Sequence, residues 1–254
     1  MTKMLGENNG ESTLEELVRF ADDGYTFAEL VMGVCSYHGN LERGERYDRA
    51  YNYFIKVAEK EDIGFVQYLV GTFYEHGHGN IEQDFEKAAI WYHRAAENGD
   101  LDAKFSLWRL YVSRCGVKTD LETRIKWLKE AADEGMAKAE YAFGTALAKG
   151  DGVEKDDEKA FSYVYKAAVK GLPDAQYFVG ISYLRAQGVE KDEVKGVEWL
   201  LRAANFDHPK AIYFLAHSFE YGVGVEENLD KAQELYVKAA VLGEYRAVEK
   251  LLVM

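Results

Sequence analysis

Apolar residues return along this chain with a helical spacing. In "AQYFVGISYLRA" (175–186) they fall at i, i+3, i+4, i+7 and i+8, which predicts an amphipathic helix with one buried face. A glycine-bearing turn follows, and then a second helical stretch, "DEVKGVEWLLRAA" (192–204). This pair of helices, A then B, repeats. The segments 139–174, 175–210 and 211–246 align without a gap, and Ala103, Ala139, Ala175, Ala211 and Ala247 stand 36 residues apart. Upstream the pattern begins at Ala28 and Val66, with spacings of 38 and 37. The chain therefore holds six helix pairs, starting near residues 28, 66, 103, 139, 175 and 211. A lone helix B (12–27) precedes them and a lone helix A (247–254) follows. Residues 1–11 are expected to be flexible. Residues 12–254 are expected to form a single solenoid domain, because one pair cannot bury its apolar face while stacked pairs share a continuous core.

Local signals place the helix ends. Ser12-Thr13-Leu14-Glu15 reads as a capping box opening the first half-unit. Pro173 and Pro209, the only prolines, stand where a helix A begins and a missing N–H costs nothing. Gly33, Gly71, Gly144 and Gly180 fall in the middle of helix A, where glycine costs about 1 kcal/mol against alanine. Close approach of helix B offsets that cost. Paired alanines such as Ala95-Ala96 and Ala239-Ala240 allow the same approach from the other side.

The recurring string resembles the Sel-one-like repeat (SLR) family of helical solenoids, relatives of the tetratricopeptide repeats. In the fourth unit the likeness rests on Ala139, Phe143, Gly144, Gly150, Gly152, Val153, Asp156, Lys159, Ala160, Tyr163, Lys166, Ala167, Ala168 and Gly171. In the fifth it rests on Tyr183, Gly188, Val189, Asp192, Lys195 and Trp199. The resemblance implies an all-α, right-handed superhelical solenoid of antiparallel helix pairs. The third unit departs from the pattern. Trp108 replaces the mid-helix glycine, Arg114 the first turn glycine and Arg124 the small residue of helix B. A tryptophan there must splay the two helices or turn outward, through local repacking or a changed superhelical pitch.

Composition narrows the function. With 31 basic and 44 acidic residues the net charge is −13, which opposes binding to nucleic acid or to an anionic membrane surface. The same charge suits a basic protein partner. No apolar run is long enough for a secretory signal or a membrane span, so a cytoplasmic location is expected. The two cysteines do not form a disulfide framework. Cys35 occupies a helix-A position held elsewhere by Phe73, Leu110, Ala146, Ser182 and Ser218, and reads as a small core residue. Cys115 lies on a turn two repeats away, too far to pair with it.

The segment "YEHGHGN" (74–80) is the one that suggests a metal: His76 and His78 beside Glu75. Its counterparts "LAKGDGV", "FEYGVGV" and "YVSRCGV" identify it as a repeat turn, with Gly77 and Gly79 set by backbone geometry. The position of His78 holds Asn40, Cys115, Asp151, Gln187 and Val223 in other units, so it reads as exposed and unconstrained. Zinc needs three or four ligands at about 2 Å, and no third ligand is evident. No nucleophile elbow, P-loop or His-Glu-x-x-His occurs, and the acidic runs "VEKDDEK" and "VEKDEVK" read as solvated turns supplying negative charge to helix N-termini. The chain is therefore expected to be neither an enzyme nor the holder of a cofactor or metal.

What remains is a binding face. In helical solenoids of the resembling kind, helix A lines the concave surface. The resemblance places there Tyr68, Phe105, Tyr141, Tyr177 and Tyr213 as an aromatic column, and Thr72, Arg109, Thr145, Ile181 and His217 as a column that changes from unit to unit. At the rim it places Glu75, His76, Arg185, Glu220 and Tyr221. Tyrosine and arginine are favoured interface anchors. The expected function is a scaffold or adaptor that holds a protein or peptide, and the net charge suits a basic one. A bacterial immunity protein neutralising a basic toxin is a narrower form of it. A hydrolase acting on cell-wall or antibiotic substrates is the alternative, and it lacks a visible catalytic cluster.

Overall fold

The computed structural model describes residues 8–39, 43–113 and 120–253. All regular structure among these residues is helical. In chain order the helices are α1 (Asn8–Asp22), α2 (Thr26–His38), α3 (Arg43–Lys60), α4 (Gly64–His76), α5 (Phe85–Glu97), α6 (Leu101–Val112) and α7 (Leu121–Asp133). They continue with α8 (Ala137–Lys149), α9 (Asp157–Val169), α10 (Pro173–Arg185), α11 (Glu193–Ala204), α12 (Pro209–Tyr221), α13 (Leu229–Val241) and α14 (Tyr245–Leu251). Two compact units form, one ending at Asp120 and one beginning at Leu121. The first holds α1–α6 and the second α7–α14. The boundary falls inside the third repeat, between the helix that carries Trp108 and the helix that carries Arg124.

Within each unit the packing follows the sequence period. Helix A packs on its own helix B (α2 on α3, α4 on α5, α8 on α9, α10 on α11, α12 on α13), and each B packs on the A that follows. The mid-helix glycines explain the closeness. A methyl group added at Gly71 would stand 2.5 Å from the Tyr92 ring, and one at Gly180 would stand 2.9 Å from Leu200 and 3.0 Å from the Gly196 carbonyl. Helix B returns its own small residues: Ala95, Ala131, Ala167, Ala203 and Ala239 are completely or almost completely buried.

The turns and caps are equally regular. Asp84, Asp156, Asp192 and Asn228 are extended residues that open α5, α9, α11 and α13, and each side chain accepts the N–H of the lysine three residues on. That capping satisfies the Asp-x-x-Lys spacing of the repeat, and it holds the Asp156 and Asp192 carboxyls below the usual carboxylate range through hydrogen bonds from Lys159 and Lys195 respectively. Gly77, Gly150 and Gly222 end α4, α8 and α12 in the left-handed conformation. Ala186 takes the same conformation at the end of α10, with φ of 55°. The second turn glycine abuts the helix B of the preceding repeat: a Cβ on Gly188 would overlap the Asp157 carbonyl oxygen. Pro173 and Pro209 occupy the first position of α10 and α12, as their placement predicts.

Two expectations about the first repeats need correcting. α1 begins at Asn8, so Ser12 and Thr13 lie inside the helix rather than at its cap; serine and threonine cost only a few tenths of a kcal/mol within a helix, about what flanking residues recover. Cys35 is exposed rather than a core residue. Its counterpart Phe73 is buried by Tyr37, Tyr47, Tyr51 and Phe54 of the repeat before it. Three of those rings stand on α3, whereas α1, the helix B before Cys35, carries one aromatic residue, Phe20, which packs on Tyr25. Arg114 and Cys115 lie outside the described residues.

Candidate functional site

The helix-A residues expected to bind a partner divide into two groups. Those of the aromatic column are half-buried and engaged. Tyr68 stacks on Tyr92 at 5.4 Å between ring centroids, Phe105 meets Trp108 at 5.4 Å, and Tyr177 stacks on His208 at 4.9 Å. Tyr213 contacts Phe214 and Tyr236. Burial pushes the hydroxyls of Tyr68, Tyr141 and Tyr177 upward in pKa. These ring contacts lie within single repeats.

The varying column and rim are more open. His76, Arg109, Arg185, His217 and Tyr221 are exposed, while Thr72, Thr145 and Ile181 are half-buried. The threonine hydroxyls donate to their own helix, Thr72 to the Leu69 carbonyl at 2.7 Å and Thr145 to that of Ala142 at 2.8 Å. Burial lowers the His217 imidazole pKa; the Glu220 carboxylate opposes this shift and the Lys250 ammonium adds to it.

Glu75 does not stand at the rim. It is only 5% exposed, and it accepts the Tyr92 hydroxyl at 2.6 Å on one oxygen and the Arg109 guanidinium on the other. Glu220 occupies the equivalent place in the sixth repeat. It accepts Tyr236 at 2.7 Å and Lys250 at 2.7 Å. Burial is the largest influence on the Glu220 carboxyl and opposes ionisation. The donors Lys250, Tyr236 and Tyr221 together outweigh it, so its pKa lies below the ordinary value. Both tyrosines are pushed up, first by burial and then by the carboxylate each one faces. The remaining repeats place Tyr37 with Phe54, Val112 with Leu128, Ala148 with Val164, and Leu184 with Leu200 at the same two positions. At this position glutamate occurs only where helix B supplies a tyrosine hydroxyl. A buried hydroxyl and a buried carboxylate each need the other.

The "YEHGHGN" turn is also committed to packing. His76 and His78 stack on each other at 5.3 Å with their planes 9° apart. His78 stacks further on Tyr47 at 4.6 Å and is half-buried, so it is not the unconstrained residue that its variability suggests. Asn80 closes the turn onto α3, donating its backbone N–H and side-chain amide to Asp48 at 2.6 and 2.7 Å. Among the described residues no three His, Cys, Asp or Glu side chains converge as a metal site would require.

In the second unit the structure adds residues that the repeat columns missed. Arg246 lies over the rings of Tyr213 and Phe214 at 4.7 and 5.3 Å, and its Nε donates to Glu244 at 2.7 Å. Arg185 lies over the same Phe214 ring at 5.7 Å. Arg246 and Lys250 share one face of α14 four residues apart, and that spacing was the available signal in the sequence.

The family model for the Sel1 repeat matches residues 26–62, 65–100, 113–136, 137–172, 173–205 and 209–244. This is a Sel1 repeat protein. The third Sel1 match begins only at residue 113, leaving out α6 and its Trp108. Among solved structures, a protective antigen of uropathogenic Escherichia coli strains that displays an SLR fold is similar at 30% identity and TM-score 0.82, over 92% of this chain and 50% of that one. The chain thus spans about half the length of that antigen. A Sel1 repeat protein from Oxalobacter formigenes is similar at 28% identity and TM-score 0.67, over 97% and 73% of the two chains. The C-terminal part of a TPR repeat-containing protein from Cytophaga hutchinsonii shares the fold at 13% identity and TM-score 0.53, over 95% and 94%. No curated protein matches this chain. Sel1 repeats in general serve protein–protein interaction, and no helix among the described residues is long and apolar enough to cross a membrane.

Proposed function

We propose that this Sel1 repeat chain is a non-catalytic scaffold that holds a protein or peptide partner on its helix-A faces. One observation carries the reading: helix A leaves His76, Arg109, Arg185, His217 and Tyr221 exposed, on helices whose aromatic-column residues are half-buried. Exposed arginine and tyrosine around half-buried aromatics are the residue types that anchor interfaces. A cytoplasmic location accords with this role. An inhibitor of a basic toxin is the narrower form, and the surplus of acidic over basic residues supports it through electrostatic steering.

The test is a pull-down from the native host with the wild-type chain and two variants. One carries Arg109→Ala, His217→Ala and Tyr221→Ala on helix A. The other carries Val169→Ser and Val194→Ser on helix B, both exposed apolar positions. A stoichiometric partner that survives the helix-B changes and is lost with the helix-A changes supports the proposal. Loss with the helix-B variant alone overturns it.

A further inference from the structure

The net charge of −13 points to a basic partner, but the helix-A face of the second unit has the opposite local character. Two guanidinium groups share one aromatic ring there. Arg185, the last residue of α10, stands 5.7 Å from the centroid of Phe214 in α12. Arg246, at the start of α14, stands 5.3 Å from the same centroid. Tyr177 of α10 lies beside them, its ring tilted at 35° and 5.9 Å from Phe214, and both arginines favour its ionised form against the dominant effect of burial.

Acidic groups around this cluster have partners of their own. Glu244 pairs with Arg246, Glu220 with Lys250, and Asp174 contacts His208. Lys210 adds positive charge near Glu244. Arg185 has no carboxylate within ion-pair distance among the described residues. Its guanidinium carbon stands over the Phe214 ring, and the residue is exposed. A guanidinium placed over an aromatic ring in this way is matched by a carboxylate that binds two of its N–H groups. The flanking rings of Tyr177, Tyr213 and Phe214 offer apolar contact on either side.

We infer that the Arg185–Phe214–Arg246 cluster is a carboxylate-binding subsite that takes an acidic segment of the protein partner. This rests on the helix-A reading above and sharpens it, since it assigns the segment a sign opposite to that expected from the whole chain. Long-range repulsion by the acidic surface slows the encounter but is screened within about 8 Å at physiological salt. The contact at Arg185 is much shorter than that.

Fluorescence anisotropy with three labelled twelve-residue peptides tests this. All share one tryptophan; the first is rich in glutamate, the second has glutamine in place of each glutamate, and the third has lysine. The acidic peptide is expected to bind best, and Arg185→Gln is expected to weaken it roughly tenfold, the loss of one charge-assisted contact. Arg202→Gln is the control. That arginine is exposed in the same unit but lies on helix B, over Trp199 at 4.3 Å, and its loss should leave binding unchanged. Circular dichroism confirms that each variant folds. Equal binding of the glutamate and glutamine peptides, or equal weakening by the two substitutions, overturns the subsite. A phosphoserine peptide binding more tightly than the glutamate one also overturns it, by assigning the cluster to phosphate. If the lysine peptide alone binds and Tyr221→Ala weakens it, the subsite fails while the helix-A scaffold stands. If the native partner ignores all helix-A changes, the scaffold reading fails on its own.

Discussion

The buried Glu75–Tyr92 pair permits a quantitative test of why this chain pairs polar with polar at one position of its repeat. Tyr92→Phe removes a hydroxyl that donates to a carboxylate at 2.6 Å in the interior. A hydrogen bond to a charged group contributes about 1.5–3 kcal/mol, so the single change should cost about that much. Glu75→Leu leaves the Tyr92 hydroxyl buried without an acceptor, at a cost of about 1–3 kcal/mol. Arg109 is 45% exposed and can turn to solvent, so its loss of a partner adds little. The double variant removes both polar groups and reproduces the apolar arrangement of Leu184 with Leu200. Its cost should fall below the sum of the singles, with a coupling of about 1–2 kcal/mol. Urea denaturation of the four proteins at neutral pH gives the cycle, and amide exchange in α4 and α5 shows whether the effect is local. If the two costs simply add, the pair is not mutually dependent, and its recurrence at Glu220–Tyr236 has another cause.

Further outcomes follow from the turns and the shifted groups. Ala186→Gly should stabilise the second unit by about 0.5–1 kcal/mol, since alanine there holds a left-handed conformation that glycine adopts freely; thermal unfolding reads it. Gly188→Ala should cost more than about 2 kcal/mol, because its Cβ meets the rigid backbone of Asp157 at the start of α9. The Tyr163 hydroxyl, pushed up to about 12 by burial and by the Asp133 carboxylate that accepts it at 2.6 Å, should ionise late in an ultraviolet titration, and Asp133→Asn should bring it back toward 10. Because this folded pKa is raised, its contribution to stability is complete below pH 10 and is lost between pH 10 and about 12. Glu220 runs the other way: its depressed pKa stabilises the fold above pH 4.5 and the gain disappears as pH falls through the folded value. Lys250→Met should raise the Glu220 midpoint in a carboxyl NMR titration; an unchanged midpoint would show that the ammonium does not hold it down.

The two levels of description divide along a physical line. Spacing along the chain determined the helices, the repeat period, the proline starts, the aspartate caps and the need for glycine in the middle of helix A. Each of these depends on backbone geometry and on residues within a few positions, and a recurring pattern averages out local accident. Burial between repeats could not be read that way. Cys35 sits in a core position of the repeat yet is exposed, because α1, the helix B before it, lacks the three rings with which α3 covers Phe73. Glu75 has the composition of a rim residue yet is buried, because its acceptor oxygens are matched by a tyrosine seventeen residues on and an arginine thirty-four residues on. His78 varies freely between repeats yet stacks between Tyr47 and His76. The charge of the binding face shows the same limit. Summing the sequence gives −13 and a basic partner; in space Arg185 stands over Phe214 with no carboxylate within ion-pair distance among the described residues. A total counts charges wherever they lie, whereas only the fold decides which of them neutralise one another at short range and which are left for a partner.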